Sequence, residues 1–132
     1  MKVEDILRAG GTPLNAPAYP RGPFRFRGRE YLNITYRSDP EAVRHWLPEP
    51  LEFDEPLVRF EVMRMPDVSG LGSYTECGQA IVCRLGAERG EYLHAMYVDH
   101  LGAIASGREV SAYPKKLGAP RLLVGPEVRR QA

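Results

Sequence analysis

Alternating apolar and polar residues dominate the middle of the chain and predict β-strands. From Glu30 to Arg37 the apolar positions fall on every second residue, which is the period of a strand with one buried face. A second run, Leu57 to Met65, has one apolar face, whereas its other face mixes Arg59 and Glu61 with large apolar residues. We expect these two charges either to lie at a wet edge or to be buried and paired.

Three later runs rich in Val, Ile, Tyr and Ala also predict strands. They cover Tyr74 to Leu85, Tyr92 to Val98 and Ala103 to Val110. The segment Gly86 to Gly90 between the first two has the length and composition of a hairpin loop. No regular alternation of strand and helix is present, so the pattern predicts a mainly β fold, either sheet packed on sheet or a barrel.

Helical spacing is limited to two short segments. The first is carried by three apolar residues on one helical face: Val3, Ile6 and Leu7. Before the second, Asp39 followed by Pro40 is typical of a helix N-cap and first turn, and Pro48 is expected to end the helix. Its predicted apolar stripe consists of Val43, Trp46 and Leu47.

Composition is that of a globular protein. The 132 residues, of which 43% are hydrophobic and 27% charged, predict a single domain over residues 1–132. A formal net charge of +1 gives no global field for nucleic acid or an anionic membrane, so neither partner is expected. Cys77 and Cys83 match neither a zinc pair nor a redox pair and are predicted to be small half-buried hydrophobes. The charged N-terminus lacks an apolar signal core, which predicts a cytoplasmic protein.

Two short motifs are typical of structural rather than catalytic roles. Gly70-Leu71-Gly72 resembles part of a dinucleotide loop but lacks a correctly spaced third glycine, so a tight turn is predicted. His94 lies in an apolar strand pattern without metal-ligand spacing and is predicted to be a hydrogen-bonded core histidine.

The segment Gly107 to Gly118 places Arg108 and Glu109, then an aromatic–proline step and two lysines, at the end of an apolar run. By charge alone, two lysines after a proline are typical of a solvated turn. If this stretch is extended, Lys115 and Lys116 point to opposite faces of the strand.

This lysine segment resembles the lysine motif of the acetoacetate decarboxylase family. Further stretches resemble the same family in the same order: Phe24 to Ile34, Pro48 to Glu52, Glu55 to Glu61, Ser69 to Glu76 and Tyr92 to Tyr97. The similarity runs from about Gly11 to Val124. Family members are longer at the C-terminal side, so the resemblance implies the family's β-barrel or cone with short peripheral helices but without its C-terminal strands.

The resemblance implies a carboxy-lyase that converts acetoacetate, a small β-keto acid, to acetone and carbon dioxide. Lys115 would form an imine (Schiff base) with the substrate ketone, and no metal or organic cofactor is needed because the imine nitrogen accepts the electrons. Arg29 would bind the substrate carboxylate. Glu76 and Glu61 would pair with Arg29 or relay protons, with a structural ion pair as the alternative for each.

Attack on the ketone requires a neutral amine. A free lysine has a pKa near 10.4, so only about one molecule in two thousand is neutral at pH 7. Burial among apolar groups and a neighbouring cation both favour the neutral form. Because Lys116 is expected to point away, we predict that desolvation of Lys115 is the larger effect and Lys116 the smaller one.

Two other functions remain open at the level of sequence. Imine-forming lysines also serve aldol and dehydration chemistry, so a related aldolase or dehydratase is one alternative. The other is a truncated, weak or inactive remnant that binds keto acids or other carboxylates, because an incomplete barrel leaves a wet cavity and open sheet edges. Open edges also favour self-association, and a homo-oligomer is expected.

Overall fold

The structure, a computed structural model, describes residues 1–9, 13–123 and 125. Over these residues it contains three helices: α1 (Val3–Leu7), α2 (Pro40–Trp46) and α3 (Leu101–Ser111). Its six strands are β1 (Phe26–Arg27), β2 (Glu30–Arg37), β3 (Leu57–Val68), β4 (Gly72–Leu85), β5 (Glu88–Val98) and β6 (Lys115–Leu117). The prediction of a mainly β fold is confirmed.

All six strands belong to one sheet with β3, β4 and β5 at its centre. These three strands are antiparallel neighbours joined by short turns, and β1 and β2 both pair with β3. Strand β6 instead runs parallel to β5, a pairing that needs a crossover, and α3 supplies it. Within the described residues the sheet is open, with β1 and β2 together at one edge and β6 at the other.

The turn between β3 and β4 contains the glycine pair noted in the sequence. Gly70 and Gly72 both have positive φ, +78° and +77°, which a side chain would strain. The predicted tight turn at this position is therefore confirmed.

The predicted strand over Ala103 to Val110 is wrong, because the segment lies within helix α3. The Nδ1 atom of His100 accepts a hydrogen bond from the Ala103 amide at 3.2 Å and so caps the first turn. Ala103 and Gly107 are buried, and their spacing of four residues places them on one helical face. Capping and small residues facing the sheet outweigh the β-branched residues of this run.

Helix α2 begins as predicted but presents a different face. The Asp39 carboxylate accepts hydrogen bonds from the amides of the first turn, and Val43 and Leu47 are buried. Trp46, which was predicted to share the buried stripe, is 61% exposed. Its ring stacks on the half-buried His94, with centroids 6.1 Å apart, and burial lowers the pKa of that histidine.

The apolar core is divided between the two faces of the sheet. One cluster includes Met63 and Ala103 of α3, and the other includes Val58 and Val43 of α2. Because Met63 and Val58 are an odd number of positions apart on β3, they point to opposite faces. Helix α3 therefore covers one face and α2 the other.

The two cysteines are free, with Cys83 buried and Cys77 half-buried, which agrees with their predicted role as small hydrophobes. Burial raises the pKa of both thiols. No helix in the described ranges is long and apolar enough to cross a bilayer.

Candidate active site

A buried ion pair lies where β4 faces the C-terminal end of the α3 crossover. The Nζ of Lys115 donates a hydrogen bond to Oε2 of Glu76 at 2.8 Å. Lys115 is 8% exposed and Glu76 5%, and they are the two charged residues that are buried in the part of the chain described. Burying two charges is costly unless they pair, so this pair is a strong candidate for a functional site.

Strand register explains how the two residues meet. Met96 on β5 lies between Lys115 on β6 and Gly78 on β4, so these three positions form one row across the sheet. Glu76 is two residues from Gly78 and therefore points to the same face. The lysine side chain extends across β5 to reach the carboxylate.

A cavity of about 230 Å³ opens on this face of the sheet. Its lining combines five charged residues with apolar ones: Arg59, Glu61, Met63, Glu76, Gly78, Ala80, Glu91, Leu93, Met96, Tyr113 and Lys115. The mixed face of β3 thus faces the cavity, where Arg59 pairs with Glu91 at 2.8 Å and remains partly exposed. The sequence predicted charges on this face that are either solvent-exposed or paired. Arg59 is both, because it pairs with Glu91 and stays partly exposed to solvent.

Glu61 lies on the same cavity wall as Lys115 and Glu76. Burial raises the pKa of the Glu61 carboxyl above 4.5, the neighbouring Arg59 opposes this rise, and Glu76 and Glu91 add to it. A carboxyl group with a raised pKa near an amine is suited to hold or deliver a proton.

A second cavity, of about 550 Å³, lies on the α3 side and shares two lining residues with the first, Tyr113 and Lys115. Most of its wall is apolar or aromatic. Its charged lining residues other than Lys115 are Arg8 and Arg21, whereas no carboxylate lines it in the described chain. The lysine therefore lies between an acidic cavity and a basic, apolar one, and the second is the better route for an anion.

Tyr74 lines the second cavity and was not predicted from the sequence. Burial raises the pKa of its phenol to about 12, the charge of Glu76 contributes, and Arg29 opposes the shift. The phenol is therefore a neutral hydrogen-bond donor at physiological pH. The sequence signal that could have identified Tyr74 is its position on the same strand as Glu76, two residues before it.

Arg29 lies apart from the buried pair. It is exposed, and its guanidinium stacks over the rings of Phe26 at 5.0 Å and Tyr31 at 5.6 Å. Phe26 lines the second cavity. The carboxylate of Glu76 accepts its hydrogen bond from Lys115, whereas Arg29 lies beside Phe26 on the side of the second cavity.

Lys116 points away from the site. Strand β6 is extended, as predicted, so Lys116 is exposed beside Tyr97 on the face opposite Lys115. The charged group nearest to the Lys115 amine is the Glu76 carboxylate rather than the Lys116 ammonium.

Two neighbours of the lysine in the chain complete its surroundings. The ring of Tyr113 lies 5.7 Å from the Lys115 amine, within the range of a cation–π contact. The guanidinium of Arg108 donates a hydrogen bond to the Lys115 carbonyl at 3.1 Å. Both residues are within the predicted lysine segment, but their roles depend on the return of the chain from α3 into β6.

Comparison with known proteins identifies the family to which the chain belongs. A model of the family described as acetoacetate decarboxylase (ADC) matches residues 11–131. The chain belongs to the acetoacetate decarboxylase family. An acetoacetate decarboxylase of Streptomyces nogalater is 64% identical over 124 residues, which are 94% of this chain and 51% of the relative. One of Clostridium botulinum is 66% identical over 125 residues, again 94% of this chain and 51% of the relative.

The fold matches solved structures of the same family. A structure from structural studies of acetoacetate decarboxylase superposes with a TM-score of 0.86 at 57% identity, covering 96% of this chain and 52% of that one. The family fold predicted from the sequence is therefore confirmed. The chain spans about half the length of the curated relatives that it matches.

Proposed function

We propose that the chain carries the catalytic lysine of an acetoacetate decarboxylase and that Lys115 forms an imine with a β-keto acid. The observation that supports this most directly is the buried hydrogen bond between the Lys115 amine and Glu76, in a chain of this family. A buried amine beside a buried carboxyl group in a cavity has the chemistry that imine formation needs.

The first step is activation of the amine. Moving the proton from Nζ of Lys115 to Oε2 of Glu76 converts an ion pair into a neutral amine and a carboxylic acid, over a distance of 2.8 Å. Burial favours this neutral pair because both charges disappear together. The mostly apolar wall of the second cavity serves the same end. Lys116, on the opposite face, has at most a minor electrostatic role.

Decarboxylation then follows from the imine. The amine adds to the ketone carbon, water leaves, and a protonated imine joins Nζ to the substrate. The bond between the α-carbon and the carboxylate breaks, its electron pair moves to the imine nitrogen, and carbon dioxide departs. The enamine takes up a proton on carbon, and water releases acetone and the free amine. Glu76 and Glu61 are the proposed proton carriers.

Substrate binding is assigned to the basic side of the site. We propose that the β-keto acid enters the second cavity, where Arg8 and Arg21 line the wall and Arg29 stacks on Phe26. Arg29 is the proposed carboxylate ligand, since a guanidinium binds a carboxylate with two hydrogen bonds. The three carboxylates around the first cavity disfavour entry from that side.

Release of acetone and carbon dioxide from acetoacetate tests this function. We expect the parent chain to produce both in equal amounts and Lys115→Ala to lose at least about a thousandfold in rate, because the covalent route is lost. Lys2→Ala is the matched control, since Lys2 is an exposed lysine far along the chain from the site. Equal rates for the parent and Lys115→Ala would contradict the proposal. Other products from the same lysine would favour the aldolase or dehydratase alternative.

A second candidate function rests on a specific observation. The second cavity is lined by Arg8 and Arg21 and, among the described residues, by no carboxylate. The alternative is therefore a protein that binds small keto acids or other carboxylates without turnover. Calorimetry showing acetoacetate binding that Arg29→Ala abolishes, together with no product, would support carboxylate binding over the enzyme.

The open edge also supports a proposal about assembly. On β2, the side chains of Leu32, Ile34 and Tyr36 share one face and are 39–46% exposed. We propose that this edge mediates self-association into a homo-oligomer in the cytoplasm. Light scattering that shows a stable monomer at high concentration would contradict it.

A further inference from the structure

The lysine stem contacts a glycine of helix α3 so closely that no other residue fits there unchanged. A β-carbon built on Gly107 would lie 2.5 Å from Cδ and 2.7 Å from Cε of Lys115, and 3.3 Å from Nζ. In proteins a β-carbon essentially never lies within 3.0 Å of a heavy atom from a distant part of the chain. The side chain of Lys115 therefore occupies the space where the side chain of residue 107 would otherwise lie.

Hydrogen bonds hold the backbone on both sides of the contact between Gly107 and Lys115. The Gly107 carbonyl accepts hydrogen bonds from the amides of Ala112 and Tyr113, which hold the end of α3 against the chain that leads into β6. Arg108 donates to the Lys115 carbonyl at 3.1 Å. With both backbones fixed, a clash at residue 107 can be relieved only by movement of the flexible lysine tail.

We propose that Gly107 is a positioning residue for Lys115. The missing side chain at this turn of α3 forms the groove that directs the lysine stem across β5, so that Nζ meets Glu76. Any β-carbon at residue 107 pushes Cδ and Cε aside and separates Nζ from the carboxylate. The consequence for turnover rests on the proposed function, whereas the consequence for packing does not.

The test begins with Gly107→Ala, with Gly102→Ala as the matched control in the same helix. The atoms nearest to a β-carbon at Gly102 belong to Leu71 and His100. A misplacement of about 1 Å costs reactions about a hundredfold, so we expect imine trapping with acetoacetate to slow about a hundredfold in Gly107→Ala. Trapping in Gly102→Ala is expected to match the parent. Trapping in Gly107→Ala at the parent rate would overturn the inference while leaving the proposed function intact.

A double-mutant cycle read out by melting temperature tests the packing without any reaction. Alanine is favoured over glycine inside a helix, so Gly107→Ala should raise the melting temperature once the lysine stem is gone. We therefore expect Gly107→Ala to raise the melting temperature in a Lys115→Ala background and to raise it less, or lower it, in the parent. Equal shifts in the two backgrounds would overturn the inference.

The outcomes remain decisive if a variant fails to fold. Gly107→Ala that unfolds while Gly107→Ala/Lys115→Ala folds would place the clash at the lysine and support the inference. Failure of both, while Lys115→Ala alone still folds, would locate the clash elsewhere and overturn the inference. If the parent forms no imine at all, the proposed function fails, and the double-mutant cycle of melting temperatures still decides the role of Gly107.

Discussion

Replacing Glu76 by glutamine removes the carboxylate from the buried pair and leaves the rest of the side chain nearly unchanged. The partner amine, whose side chain is 9% exposed, then loses the carboxylate that lies 2.8 Å from it. Breaking a buried pair by removing one partner costs about 3–5 kcal/mol. For a chain of this length, 1 kcal/mol corresponds to about 4 °C in melting temperature, so we expect Glu76→Gln to melt about 12–20 °C lower.

An exposed pair of nearly equal length supplies the control. Arg37 and Glu55 are 2.7 Å apart, but their side chains are 63% and 57% exposed. Such surface pairs contribute about 0–1 kcal/mol, so Glu55→Gln should shift the melting temperature by less than about 4 °C. The comparison isolates burial, because the two ion pairs differ by only 0.1 Å in distance.

Scanning calorimetry or circular dichroism on the three proteins measures the effect. A double variant, Glu76→Leu with Lys115→Met, should recover most of the loss, since an apolar pair of similar size removes both buried charges. Shifts of equal size in Glu76→Gln and Glu55→Gln would refute the claim that the 2.8 Å contact is a buried charge pair.

Three further outcomes follow from the site. Lys116→Ala should retain imine formation within about tenfold of the parent, because its exposed ammonium lies on the opposite face; a near-complete loss of activity would contradict this. Burial raises the Glu61 pKa above 4.5, so its ionisation destabilises the fold as pH rises past that value. Glu61→Gln should therefore raise the melting temperature at pH 7 and change it little below about pH 4, and the opposite pH trend would refute the assignment. Tyr74→Phe should remove a phenol that ionises at a pKa of about 12 in an absorbance titration, and an unchanged curve would contradict its burial.

Local patterns were sufficient to predict much of the fold. The strands β2 and β3 and the Asp39–Pro40 helix start depend on neighbouring residues, and the structure confirms them. The apolar face of β2, however, is exposed rather than buried over the described residues. The sequence pattern did not reveal the helix over Leu101–Ser111, because Ile and Val within it favour strands, whereas the His100 cap and the small buried face that stabilise it depend on its packing in the fold. Trp46 was misplaced because its spacing fits the helix stripe, whereas its contact is the ring of His94 on the sheet.

The site was predictable only in part. The opposite directions of Lys115 and Lys116 follow from an extended backbone and hold in the structure. The Lys115–Glu76 contact depends on the registers of β4, β5 and β6, which residues 39 positions apart do not reveal. Gly107 has no side-chain functional group. Only its short distance from the Lys115 side chain in the folded structure distinguishes it from an ordinary helix glycine.

Reductive trapping tests the central proposal most directly. The chain is incubated with acetoacetate and borohydride near neutral pH and then digested. The masses of its peptides are measured by mass spectrometry. We expect a reduced substrate adduct on Lys115, none on Lys2 or Lys116, and none in Lys115→Ala. Folded protein that acquires no adduct, or acquires it equally on the exposed lysines, would contradict the assignment of Lys115 as the imine-forming residue.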